Sequence, residues 1–176
     1  MNRLVFAAAL LAGALIAAPA HAALIFFEST LSGAQEAPDP VDTPATGFGT
    51  VLLDDVAMTI TVDLSFEDLT TPSNNAHIHV APPGVPGPVV FPIALGAALG
   101  QTSGTVETQV FDITDEQIAV LLNGGYYFNV HSEQFPAGEI RGQILQQVNG
   151  VSEPSALLLL AGAGAALFAM RGRRRR

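Results

Sequence analysis

Three histidines and one arginine have the residue types and spacing best suited to chemistry in this chain of 176 residues. His77 and His79 lie in Asn75-Ala76-His77-Ile78-His79-Val80. On a β-strand their imidazoles leave from one face and Ala76, Ile78 and Val80 from the other. His131 ends Tyr127-Phe128-Asn129-Val130-His131, where the same alternation groups Tyr127, Asn129 and His131 opposite Phe128 and Val130. If the two segments are neighbouring strands, three neutral imidazoles converge, the ligand number of an open copper or zinc site. The competing reading is that these side chains hydrogen-bond nearby loops and fix one end of the fold.

Arg141 follows in Gly138-Glu139-Ile140-Arg141-Gly142 and is the single basic residue between positions 23 and 150. Fifteen Asp and Glu share that stretch, a formal charge of −14. A lone guanidinium in such a field is expected to pair with a carboxylate such as Glu139 or Glu133. Gly138 and Gly142 are expected to serve turn geometry or close packing. The acidic surface repels phosphate backbones and anionic lipid, which excludes a nucleic-acid binder. With no cysteine, thiol catalysis and a disulfide scaffold are excluded too. The stretch has no phosphate loop, dinucleotide fingerprint or Gly-x-Ser-x-Gly elbow. Glu36, Glu133 and Glu139 supply at most a chance carboxylate pair for glycoside chemistry, and Asp54-Asp55 reads as a turn rather than a calcium loop.

The elements that must position these groups are short and alternate with period two. Strands are expected at residues 24–32, 50–53, 57–66, 75–81, 88–93, 104–113, 126–131 and 139–147. A hairpin at Asp54-Asp55 joins the second and third, the latter with Met58, Ile60, Val62, Leu64 and Phe66 on one face. Thr114-Asp115-Glu116-Gln117 opens a short capped helix that Gly124-Gly125 ends, and Pro82 to Pro88 forms a stiff loop. Turn signals every eight to twelve residues imply an all-β fold, a single Greek-key β-sandwich with one short helix.

The two ends read as addresses. Asn2-Arg3, an apolar stretch at 4–18 and Ala20-His21-Ala22 make a secretory signal peptide over 1–22, cut after the small residues Ala20 and Ala22. Residues 155–170 are apolar and precede Arg171 and Arg173 to Arg176. As a helix they would span about 24 Å, short of the roughly 30 Å hydrocarbon core, so they read as a transient membrane stop. The domain proper is then 23–150.

Ser152-Glu153-Pro154, the apolar run and the arginine cluster resemble the PEP-CTERM sorting signal over 151–176, with Ser152 where that family carries its first proline. The resemblance implies an exosortase-type processing enzyme in the inner membrane of a Gram-negative bacterium and delivery to the cell surface or biofilm matrix. Leu31-Ser32-Gly33-Ala34-Gln35-Glu36, His-x-His, the Gly84 to Val90 loop, His131 and Gly138-Glu139-Ile140-Arg141-Gly142 resemble the CHRD domain, in family order. That module is common in exported bacterial proteins and has no settled activity. It implies a binding or structural role, with surface polysaccharide or matrix proteins as partners, rather than an enzyme.

His-x-His, and a histidine followed by Gly-x-x-Arg-Gly, are also similar to the copper half of copper/zinc superoxide dismutases. The sandwich is thus either immunoglobulin-like or dismutase-like. The second resemblance implies copper on His77, His79 and His131, Arg141 as the cation attracting an anionic substrate, and a metal-dependent oxidoreductase as the alternative function. The bridging histidine, the zinc-loop ligands and the disulfide of that family have no counterpart here.

Overall fold

Alternation is clearest in β3 (Thr59–Glu67), where Ile60, Val62, Leu64 and Phe66 are buried and the residues between them face outward. A hairpin joins it to β2 (Thr46–Asp54), and the Asp54 carboxylate accepts from the Val56 and Ala57 N–H groups in the turn. Met58, expected on the buried face, belongs to this turn with φ 57° and is only partly buried. β2 begins at Thr46 rather than Thr50. Gly47 and Gly49, outside the expected strand, lie on the core face where Ile140 and the Phe128 ring occupy the space a side chain would need.

A computed structural model describes residues 24–147. The expected signal peptide with Ala20 and Ala22, and the expected tail with Ser152, Glu153 and Pro154, lie outside the described residues. Among the described residues no helix is long and apolar enough to cross a membrane.

The remaining elements are β1 (Leu24–Ser32), β4 (Ser73–Val80), β5 (Val89–Ile93), β6 (Gly104–Asp112), α1 (Asp115–Leu122), β7 (Tyr126–Ser132), β8 (Ile140–Gln143) and β9 (Leu145–Gln146). Thr114 caps α1 through the expected box, its hydroxyl accepting from the Gln117 N–H while the Gln117 side chain accepts from the Thr114 N–H. The run read as one strand over 139–147 is two, because buried Ile144 leaves the ladder and donates its N–H to the Tyr126 carbonyl.

All strand pairs are antiparallel, in the order β5-β4-β7-β8-β1-β2-β3-β6, with β9 also against β1. The connections β3 to β4, β5 to β6 and β6 to β7 join strands that are not paired, so that β6 lies beside β3 and β7 beside β4 in Greek-key fashion. The outermost strands, β5 and β6, nearly meet. The Gln109 carboxamide accepts from the Ala94 N–H and donates to the Ala94 carbonyl, and Phe91 packs on Phe111 with ring centroids 5.5 Å apart. The sandwich is therefore drawn almost into a closed barrel.

Its interior holds Phe27, Leu31, Val51, Leu53, Ile60, Phe66, Ile78, Phe128, Val130 and Ile140, all essentially without solvent contact. Burying each contributes about 1.5–3 kcal/mol. Gly142 lets β8 close on β1, since a side chain there would collide with Ser29 Oγ and the Thr30 carbonyl.

Candidate metal centre

The register of β4, β7 and β8 sets three polar rows on the outer face of the sheet. His79 lies opposite Tyr127, which lies opposite Gln143. His77 lies opposite Asn129, which lies opposite Arg141. Asn75 lies opposite His131. The intervening residues Ala76, Ile78, Phe128, Val130 and Ile140 point the other way, into the core. Period-two patterning thus places every chemically active side chain of these strands on one surface.

One nitrogen from each of His77, His79 and His131 lies within 4.8 Å of the other two. The hydrogen bonds fix which. His131 Nδ1 faces the Pro136 carbonyl at 3.1 Å and His79 Nδ1 faces the Gly87 carbonyl at 2.9 Å. A carbonyl only accepts, so both rings carry their proton on Nδ1 and turn the Nε2 lone pair inward. His131 Nε2 then accepts from His77 Nδ1 at 3.0 Å, while His79 Nε2 is buried with no partner. A metal ion would replace the shared His77 proton and satisfy the orphaned His79 nitrogen. The two carbonyls orient the ligands from behind, as outer partners of metal-bound imidazoles commonly do.

All three rings are held neutral. Burial, with the neighbouring His77 and His79 charges, pulls His131 down to about 4 despite the bond to Pro136. Burial and His79 lower His77, and burial with Arg141 lowers His79 against the pull of the Gly87 carbonyl. Desolvated neutral imidazoles with convergent lone pairs suit copper or zinc. His131 is only 7% exposed, so although all three leave the core face, one is roofed by the 133–138 loop.

Arg141 does not form the ion pair expected of it. It is 2% exposed, its carbon Cζ sits 3.5 Å from the centroid of Tyr127, and it donates to the Val85 and Pro82 carbonyls at 2.9 and 3.0 Å. Glu139, the expected partner, is fully buried and takes three neutral donors on one oxygen: the Thr43 hydroxyl, the Thr70 hydroxyl and the Thr70 N–H. Burial raises its pKa, and the hydroxyls of Ser132, Thr43 and Thr70 with the Thr70 N–H outweigh that, holding the carboxyl below its usual range. Arg141 spends its donors on loop carbonyls and the Gln143 carboxamide, while one Glu139 oxygen takes the threonine donors and the other is buried without a partner, so the two side chains do not pair. Arg141 thereby locks the 82–87 loop, which also presents the Gly87 carbonyl to His79 and donates the Gly87 N–H to the Tyr127 hydroxyl.

Gly138 takes a φ of +134° against the Asn129 carboxamide, where a side chain would strike both Asn129 and Glu36. The sequence put Tyr127 on the histidine face and Glu36 in a family motif without giving either its partner, and it gave Gln143 no role. Tyr127 stacks on His79 with centroids 5.0 Å apart, Gln143 donates to the Ala81 and Gly124 carbonyls, and Glu36 descends from the loop after β1 onto Asn129. The family model for the CHRD domain matches residues 27–144. No curated protein and no solved structure matches the chain.

Proposed function

The chain belongs to the CHRD domain family, a family of secreted and extracellular modules, and from that premise we propose that it is an exported binding module built around one copper or zinc ion on His77, His79 and His131. The observation that carries the reading is the buried, partnerless Nε2 of His79 beside the His77–His131 pair. A buried ring nitrogen without a partner is costly, and a metal bond would recover that cost. The ion acts as a clip joining β4 to β7 beneath two loops, a structural rather than a catalytic task. Equilibrium dialysis at pH 7.5 should give one zinc or copper ion per chain, and His79→Ala should give none. The loaded chain should not disproportionate superoxide. Turnover lost in His79→Ala would replace this reading with the dismutase-type oxidoreductase.

Delivery forms the other part of the proposal. Residues 1–22 direct export, 155–170 stop in the inner membrane of a Gram-negative cell, and an exosortase-type enzyme acts at Ser152-Glu153-Pro154. The released domain then meets surface polysaccharide or other matrix proteins. Deleting 151–176 should move the protein out of the cell-surface fraction, and an unchanged distribution would sink this part.

A further inference from the structure

Glu36 and Arg141 carry opposite charges, line one groove and form no ion pair with each other. The groove measures about 330 Å³ and runs between the segment after β1 and the 82–87 loop, walled by Pro38, Pro40 and Pro83. Arg141 is fixed from behind: Tyr127 covers one face of the guanidinium, and the Val85 and Pro82 carbonyls hold Nη1 and Nη2. Its Nε takes no partner among the described residues. Glu36 is 7% exposed, and each of its oxygens accepts from Asn129 Nδ2, a neutral donor.

We propose that this groove binds a small zwitterion of the α-amino-acid class, with the ligand ammonium received by Glu36 and its carboxylate by Arg141. Two fixed opposite charges on one cleft, each short of a full counter-ion, match a ligand that carries both charges a few bonds apart. Neither half of such a ligand would do alone. A bare anion must enter against a domain of formal charge −14, and a bare cation leaves the guanidinium unanswered. Burial raises Glu36 to about 7 even against the pull of Asn129, Arg141 and the Ala37 N–H, so the groove carries both charges above that pH and a ligand ammonium would favour the ionised carboxylate. Proline walls and a pinned arginine keep the site preformed, so binding orders little of the protein. None of the three histidines lines the groove.

The test is amide NMR on the purified full-length chain, stripped of metal and titrated with L-alanine. Expected are saturable shifts at Gln35, Glu36, Gly84 and Gln143 with Kd on the order of 1 mM, and affinity at least about tenfold lower for acetate and for methylammonium. Glu36→Gln should weaken alanine at least about tenfold, with the Ile60 and Val62 amides of β3, away from Asn129, unmoved as the control for folding. The comparison of the three probes needs no variant and decides the matter if Glu36→Gln fails to fold. Absence of saturation by about 50 mM alanine, acetate binding as tightly as alanine, or an unchanged Glu36→Gln affinity would each overturn the proposal.

Discussion

Saturating zinc should raise the melting temperature of this chain by about 10 °C at pH 7.5, and His77→Ala should remove that rise while leaving the metal-free protein nearly as stable as before. A ligand at about a hundred times its Kd stabilises by roughly 2.7 kcal/mol, and each kcal/mol shifts a domain of this size by about 4 °C. His77 is the informative variant because it is only half-buried, whereas His131→Ala would also leave a cavity under the 133–138 loop. The pH dependence follows from the direction of the histidine shifts. All three are lowered, His131 to about 4, so the folded chain keeps neutral rings that the unfolded chain protonates below about 6.5. Their contribution is present above that value and is lost as the pH falls toward 4. Protons therefore compete with zinc late. The rise in melting temperature should persist below pH 6.5 and be gone by about 4, where His131 itself protonates, a profile that thermal melts can trace. Loss of the rise near 6.5, where ordinary imidazoles titrate, would mean that the site is not the buried one.

Arg141→Ala should lower stability by about 3–5 kcal/mol, more than any single histidine change. Two charge-assisted bonds to carbonyls are lost, each worth about 1.5–3 kcal/mol, together with a desolvated cation–π contact of about 2 kcal/mol. These terms overlap, so the range lies below their sum. Arg141→Lys should recover little of it, since an ammonium cannot lie flat on the Tyr127 ring and reach the Val85 and Pro82 carbonyls together. Urea midpoints of the three proteins measure the effect. A lysine variant as stable as the parent would show that the charge alone matters and that the loop is held some other way.

The fold was legible wherever a local rule decided it. Alternation marked β3 and β4, the Asp54-Asp55 pair marked the hairpin, and Thr114 with Gln117 marked the start of α1. What failed locally failed for a physical reason. Gly47 and Gly49 gave no apolar signal because their value to the barrel is the room they leave for Ile140 and Phe128. The histidine spacing showed that three rings leave polar faces, but it could not show that β4 lies beside β7, since register between distant strands is written in no single segment. The partners of Arg141 are main-chain carbonyls, which every residue carries, so reasoning from residue types sent it to Glu139. Glu36 lies in a loop, where no periodicity predicts where a side chain lands.

The near-closure at Gln109 bears on how the molecule behaves at high concentration. An open sheet of this size would offer two bare ladders on which a neighbouring chain could template itself. Here Gln109 occupies both main-chain groups of Ala94, and Pro92 in β5 carries no N–H to donate. With its ladders blunted from both directions, the chain should self-associate through side-chain surfaces, and fibril growth by strand addition has little to start from.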